Sequence, residues 1–119
     1  MKIVIVDDHA VVRHGLQSAI QSHGYEVVAV AGSINEAKSF MAQTNPDAIF
    51  VDINLPDGSG YDLVSWARKV SPTIAIVVLT LNDGADYARA AKGAGANVFI
   101  VKSAPLSDLL AALDLALSS

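Results

Sequence analysis

The sequence predicts an α/β protein whose core is a doubly wound, five-stranded parallel sheet with strand order 2-1-3-4-5. Short apolar runs alternate five times with stretches that carry apolar residues at helical spacing. The connections are short, and strand-helix-strand units cross over right-handed, which places helices on both faces of the sheet. The apolar runs hold few polar residues, as expected of strands that helices cover on both sides.

The first half of the chain contains two strand-helix units. Residues 3–6 are a short buried strand, and residues 9–23 place apolar side chains at helical spacing. Residues 26–31 are the second strand. The second helix begins at the capping box Ser33-Ile-Asn-Glu36 and runs to about Gln43.

The third unit contains a loop rich in residues that interrupt regular structure. Residues 48–51 are the third strand, and the loop after it, with Pro56 and two glycines, stops regular structure before a helix over residues 61–70. Residues 74–80 form the longest apolar run and are largely β-branched, which favours a central strand buried on both faces.

The last two helices differ in how they are expected to pack. Residues 84–92 are rich in alanine and form a weak helix, suited to shifting, before the fifth strand at residues 98–101. The final helix covers residues 106–117, and its core stripe is expected to be Leu106, Leu109, Leu110, Leu113 and Leu117. On the opposite face, Ala111, Ala112 and Leu115 are an expected interface, which leaves a weak homodimer open.

Composition limits the function classes. The 119 residues fit one domain, with 52% hydrophobic and 17% charged residues. No cysteine is present, so disulfides and thiolate metal sites are excluded, and a reducing cytoplasm is the expected location. The N-terminal apolar run is too short for a signal peptide or a membrane span. Eight scattered Lys and Arg and a net charge of -4 predict no direct nucleic-acid binding by this chain.

Polar side chains follow the predicted strands at one edge of the sheet. They are Asp7 and Asp8 after strand one, Asp52 after strand three, Thr80 at the end of strand four and Lys102 after strand five. In such sheets ligands bind beyond the carboxyl ends of the strands, where the strand order reverses. Clustered carboxylates repel one another by roughly 1 to 4 kcal/mol per pair at close range, so a cation is expected. Mg²⁺ suits a set of hard oxygen ligands.

An aspartate, a divalent cation, a lysine and a hydroxyl together favour phosphoryl transfer. The nucleophile would be Asp52 at the end of strand three, the middle strand of the order 2-1-3-4-5, and the product would be an aspartyl phosphate. Taken singly, each aspartate is more readily explained as a helix cap or turn residue, and it is the match at five strand ends that favours the site. His9 lies next to the acids, but a histidine that opens a helix is more often a solvated first-turn residue.

These residues carry a resemblance. The chain resembles a response-regulator receiver domain, with the flavodoxin-like fold that this implies, over essentially its whole length. The matching segments are Val6-Asp7-Asp8-His9, Val51-Asp52-Ile-Asn-Leu-Pro-Asp-Gly-Ser-Gly60, Leu79-Thr80 and Phe99-Ile-Val-Lys102. Similarity to the NarL/FixJ branch, whose receivers usually precede a LuxR-type helix-turn-helix, rests on Arg13-His-Gly-Leu16, Leu79-Thr-Leu-Asn-Asp83, Gly93-Ala-Gly-Ala96 and Lys102-Ser-Ala-Pro105.

The resemblance implies a role for each site residue. Asp52 accepts the phosphoryl group and also contacts Mg²⁺. Asp8 binds the ion directly, Asp7 acts largely through water, and the backbone carbonyl of Asn54 completes the metal shell.

The remaining implied roles concern the phosphoryl group and the switch. Lys102 pairs with the phosphoryl group, and Thr80 is the switch hydroxyl that moves toward it. Phe99 stands where a tyrosine is common and is the switch aromatic that follows Thr80 inward.

The leading hypothesis is therefore a two-component signalling receiver over residues 1–119, not an enzyme beyond limited autophosphorylation and autodephosphorylation. Its expected partners are a sensor histidine kinase or phosphotransfer protein and, if the chain belongs to a longer regulator, an output domain that controls transcription. One alternative is a Mg²⁺-dependent phosphohydrolase with an aspartyl nucleophile, although adjacent acids after strand one do not match the spacing of that class. Another is a receiver-like interaction module that acts independently of phosphorylation.

Overall fold

The computed structural model describes residues 1–81 and 84–119. Residues 82 and 83, which belong to the motif at 79–83, lie outside the described residues. The strands are β1 (Lys2–Val6), β2 (Glu26–Ala31), β3 (Ala48–Asp52), β4 (Asn54–Leu55), β5 (Gly58–Ser59), β6 (Ala75–Thr80) and β7 (Val98–Val101). The helices are α1 (Ala10–Ser22), α2 (Ile34–Thr44), α3 (Gly60–Val70), α4 (Ala85–Ala94) and α5 (Leu106–Leu117).

The main sheet confirms the predicted fold class. Five parallel strands run in the order β2-β1-β3-β6-β7, which is the predicted order 2-1-3-4-5 of the five long strands. The structure differs from the prediction in the loop after β3, where β4 and β5, each two residues long, pair antiparallel as a hairpin. Strands this short leave no alternation of polar and apolar residues to read, so the sequence indicated only a turn.

Alternate residues of each strand feed two separate cores. Along β1, for example, Ile3 and Ile5 pack on the side of α1 and α5, whereas Val4 and Val6 pack on the side of α2 and α3. The two-residue period of a strand sends successive side chains to opposite faces, and both faces are covered here. This double burial fixes the register of the strands and therefore the level at which their carboxyl ends stop.

An arginine joins α3 to the strands and to the end of α4. The Arg68 guanidinium donates to the carbonyl oxygens of Gly95 at 2.9 Å, Pro72 at 2.9 Å and Ile74 at 2.7 Å, and to Oδ1 of Asn97 at 2.8 Å. Gly95 ends α4 in the left-handed conformation with φ 118°. The C-terminal end of α4 is thus held by a fork of donors.

The two last helices partly correct the expected packing. In α4, Ala91 is the one buried residue, which agrees with a weakly packed helix. In α5, Leu106 is 46% exposed although it was expected in the core, and Ala112 is buried at 6% although it was expected on the open face. The buried stripe passes instead through Leu109, Ala112, Leu113 and Ala116. Leu115 is 61% exposed, as expected.

Within the described ranges, every helix is too short or too polar to cross a bilayer.

Candidate functional site

The strand ends bring the predicted polar residues to one edge of the sheet. Asp52 is the last residue of β3 and pairs in register with Leu79, so it lies level with the end of β6. Thr80 ends β6 and is buried, and its carbonyl oxygen accepts the backbone N–H of Lys102 at 2.7 Å. Asp7 follows β1 directly, and its backbone N–H donates to the carbonyl of Ala31 at 2.9 Å.

A buried lysine joins two of the carboxylates. Lys102 Nζ lies 2.8 Å from Oδ2 of Asp52 and 2.9 Å from Oδ2 of Asp7, and all three side chains are at most 4% exposed. A hydrogen-bonded ion pair of this kind is needed wherever charges are taken out of water, because an unpaired buried charge is costly. The lysine therefore offsets part of the repulsion between Asp7 and Asp52.

Burial and neighbouring charges shift the pKa values of Asp52 and Lys102. Burial raises the pKa of the Asp52 carboxyl above its ordinary value, the hydrogen bonds from Lys102 and from the Asn54 N–H oppose that rise, and the charge of Asp7 adds to it. Burial lowers the pKa of the Lys102 ammonium, but its hydrogen bonds to Asp52 and Asp7 outweigh burial and hold the pKa above its ordinary value. Lys102 is therefore charged at neutral pH.

Four side chains are close enough to bind one ion. One ligand atom each from Asp7, Asp8, His9 and Asp52 lies within 4.8 Å of the others. Oδ2 of Asp7 is fully buried and faces the Lys102 ammonium at 2.9 Å. Three carboxylates with spare lone pairs fit a hard divalent cation such as Mg²⁺, which takes oxygen ligands and keeps several waters.

The backbone around Asp52 is set by a close approach of two segments. The N–H of Gly60 donates to the carbonyl of Ile53 at 2.7 Å, and a Cβ at position 60 would lie 2.1 Å from the carbonyl oxygen of Asp52. Only glycine fits here. The hairpin β4–β5 lies between these segments, and the N–H of Asn54 donates to Oδ1 of Asp52 at 3.2 Å.

A second aspartate in the same loop fixes it to α2. Oδ1 of Asp57 accepts the N–H of Ile34 at 2.8 Å, and Oδ2 accepts the N–H of Asn35 at 3.0 Å. These are free donors of the first helical turn, and they hold the pKa of Asp57 below its ordinary value. Sequence reasoning missed the roles of Asp57 and Gly60, because the partner segments are distant or become neighbours only through the hairpin.

The two remaining predicted positions are Asn54 and Phe99. Asn54 is exposed in β4, two residues beyond Asp52. Phe99 lies in β7 beside Val78 and packs, half-buried, against the core on the side of α2 and α3. The structure thus brings Asp7, Asp8, Asp52 and Lys102 into one cluster, with Thr80 beside it on β6.

Fold and site together define an α/β protein with one acidic, lysine-containing centre at the point where the strand order reverses. Comparison with known proteins gives the family: the model described as response regulator receiver domain matches residues 3–114. The chain belongs to this family, which confirms the resemblance read from the sequence. The family is one of signalling proteins.

Individual curated relatives agree with this family assignment. The transcriptional regulatory protein PdtaR of Mycobacterium tuberculosis is 34% identical over 119 residues, covering 98% of this chain and 57% of PdtaR. The oxygen regulatory protein NreC of Staphylococcus haemolyticus is 37% identical over 115 residues, covering 95% of this chain and 53% of NreC. The chain spans little more than half the length of these curated relatives.

Solved structures match along nearly the whole chain. A LuxR-family two-component response regulator from Aurantimonas superposes with a TM-score of 0.92 and 32% identity, covering 98% of this chain and 84% of that one. The BeF3-activated N-terminal receiver domain of Klebsiella pneumoniae RstA gives a TM-score of 0.91 and 31% identity, with both chains fully covered. The LuxR-family structure and NreC support the expected NarL/FixJ branch.

Proposed function

We propose that this chain accepts a phosphoryl group on Asp52 and passes the signal on through a change of surface. The observation that carries the proposal is the buried Asp52 carboxylate, paired with Lys102 at 2.8 Å and within 4.8 Å of ligand atoms from Asp7 and Asp8. A carboxylate, a fixed ammonium and a cation site at one point are the groups that phosphoryl transfer requires.

The chemistry follows from these positions. An Oδ of Asp52 attacks the phosphorus of a phosphohistidine or of acetyl phosphate, and the bond to the leaving group breaks, so that histidine or acetate departs with its electron pair. Asp52 attacks as a carboxylate and needs no general base. Lys102, already directed at Oδ2 of Asp52, then pairs with the negative oxygens of the phosphoryl group.

The metal would be held by Asp7, Asp8, Asp52 and the backbone carbonyl of Asn54. When bound there, Mg²⁺ would supply positive charge that offsets the charge of the phosphoryl oxygens. The acidic cluster, in which ligand atoms of three aspartates lie within 4.8 Å of one another, supports a cation at this place.

The switch in this proposal consists of Thr80, Phe99 and α4. Thr80 is buried at the end of β6 beside the acceptor strand, and Phe99 lies in the adjacent strand β7. The Thr80 hydroxyl would bind a phosphoryl oxygen and Phe99 would move inward with it. Because Ala91 is the one buried residue of α4, that helix can shift at low cost.

The wider role rests on the relatives. We propose that residues 1–119 form one receiver domain and that the protein works in the cytoplasm with a sensor histidine kinase or phosphotransfer protein. Since the chain spans about half of PdtaR and NreC, an output domain that regulates transcription is the proposed target of the switch. A weak homodimer through the exposed face of α5 remains part of the proposal.

The test is phosphorylation in vitro. Incubated with acetyl phosphate and Mg²⁺, the protein should gain the mass of one phosphoryl group, Asp52→Ala should gain none, and Asp108→Ala, an exposed aspartate of α5, should behave as wild type. Removal of Mg²⁺ with a chelator should abolish the gain.

Three results would contradict the proposal. Equal modification of wild type and Asp52→Ala would place the acceptor elsewhere, and absence of any modification or fluoroberyllate response would favour an interaction module that works without phosphate. Rapid multiple turnover of a soluble phosphomonoester would indicate a phosphohydrolase instead.

A further inference from the structure

Among the four described residues whose ligand atoms converge at the acidic centre, His9 alone offers a nitrogen with a lone pair. Its Nδ1 lies 3.1 Å from Oδ1 of Asp7, 3.3 Å from Oδ1 of Asp8 and 3.8 Å from Oδ2 of Asp52. The same four residues have their ligand atoms within 4.8 Å of one another. An imidazole on the opposite side of α1 would not produce this convergence.

In the tautomer that is protonated at Nε2, the Nδ1 lone pair of His9 is directed into the cluster. Lys102 Nζ lies 2.9 Å from Nδ1 and, because an ammonium has only donors, it donates to Nδ1 in that tautomer. The competing arrangement, in which Nδ1–H donates to Oδ1 of Asp7, is not needed to satisfy that oxygen. It already accepts the backbone N–H of His9 at 2.8 Å.

Local structure places the ring there. His9 is the N-cap residue of α1 and has extended backbone dihedrals, so it lies immediately between the end of β1 and the first helical turn. Its backbone hydrogen bond to Asp7 fixes the start of the side chain. Its side chain is 54% exposed, which leaves a path for an ion from solvent.

We propose that Nδ1 of His9 is a ligand of the bound divalent ion and gives the centre a preference for first-row transition ions, such as Co²⁺ and Ni²⁺, over Mg²⁺. This rests on the proposed metal site. Carboxylates and waters alone suit Mg²⁺, whereas imidazole suits the later first-row ions. A mixed set of three carboxylates and one imidazole therefore favours Co²⁺ or Ni²⁺ more than an all-oxygen set would.

The test compares metal affinities of matched histidine variants. His9→Gln keeps size and polarity but removes the imidazole, and His14→Gln and His23→Gln remove the other two histidines of the chain. Calorimetric titration with Co²⁺ and with Mg²⁺ gives a dissociation constant for each ion. Later transition ions bind most sites more tightly than Mg²⁺, so a tighter dissociation constant for Co²⁺ is not by itself evidence for His9. The test is how much each dissociation constant changes in His9→Gln.

His9→Gln should weaken Co²⁺ binding by at least about tenfold, the lower end of the loss when a group that supports a metal centre is removed. It should alter Mg²⁺ binding by less than about twofold, because Mg²⁺ is served by oxygen ligands and water. Both control variants should keep the wild-type values. Pulsed EPR of bound Mn²⁺ should show coupling to an imidazole nitrogen in wild type and both controls, and none in His9→Gln.

The possible outcomes distinguish failure of the proposed role of His9 from failure of the proposed function. If wild type binds Mg²⁺ and Asp52 is phosphorylated, but His9→Gln leaves the Co²⁺ constant and the nitrogen coupling unchanged, the role of His9 is refuted and the proposed function stands. If His9→Gln weakens Mg²⁺ and Co²⁺ equally, His9 confers no preference and the proposal is also refuted. If wild type binds neither ion, the metal site of the proposed function fails as well.

Discussion

Gly60 offers a sharp test of how the acceptor is positioned. A methyl group at this position would lie 2.1 Å from the carbonyl oxygen of Asp52 and 2.8 Å from Cα of Ile53. Both are backbone atoms, so no side chain can rotate away. To restore ordinary contact, the segments that carry Gly60 and Asp52 must separate by roughly 1 Å.

That separation has two measurable costs. Overpacking of this kind destabilises by about 1–3 kcal/mol, and stretching the 2.7 Å bond from Gly60 N–H to the carbonyl of Ile53 adds about 1 kcal/mol, so Gly60→Ala should lose about 3 kcal/mol. A 1 Å displacement of Asp52 from Lys102 should slow phosphorylation about 100-fold.

Gly15→Ala is the matched control. Gly15 lies within α1, and among the described residues nothing approaches its ideal Cβ within 4 Å, so alanine should stabilise by about 0.5–1 kcal/mol. Urea unfolding followed by circular dichroism measures the stabilities, and mass spectrometry with acetyl phosphate measures the rates. If Gly60→Ala unfolds at the wild-type midpoint and is phosphorylated at the wild-type rate, the close approach does not control the site.

Three further predictions concern the rest of the fold. Arg68→Met removes the donors that hold the end of α4 and should lower the free energy of unfolding by about 3 kcal/mol, measured in urea; a loss below about 1 kcal/mol would show that water replaces them. Gly93 lies in α4, and no described atom lies within 4 Å of the position that a Cβ would take there. Because alanine favours the helix over glycine, Gly93→Ala should slow amide exchange in α4 without lowering stability; faster exchange would refute this. The hydrogen bonds from Tyr25 and His23 hold the pKa of Asp114 below its ordinary value of 3.8. They should stabilise the fold by under about 1 kcal/mol above that pH, and this stabilisation should disappear as the pH falls through the lowered value; an Asp114→Asn variant with an unchanged acid-unfolding curve would contradict it.

The sequence predicted the strand order and the polar strand ends because both follow from short-range patterns. Buried parallel strands are continuous apolar runs, and the residue after each run must lie at the carboxyl edge. Asp7, Asp52 and Lys102 could therefore be placed near one another without knowledge of any contact. Their separations needed the sheet register, which depends on packing on both faces.

Other features could not be read because they depend on segments far apart in the chain. The local sequence around Asp57 does not indicate that Asp57 caps α2, because the first N–H groups of α2 lie more than twenty positions earlier. The same holds for Arg68 and its partner Gly95. On α5 the apolar positions nearly encircle the helix, so periodicity alone could not decide that Ala112 is buried and Leu106 exposed.

The anchoring of α4 by Arg68 determines how displacement is distributed along that helix. Ten residues span about 15 Å, and the anchored end is at Gly95, farthest from the end of β6. We expect α4 to act as a lever with its pivot at Gly95. A rotation of roughly 10° would then move its first residue by about 2.6 Å while leaving its last residue almost still. Any partner that reads the state of Asp52 through α4 should therefore bind near Ala85 and not near Ala94.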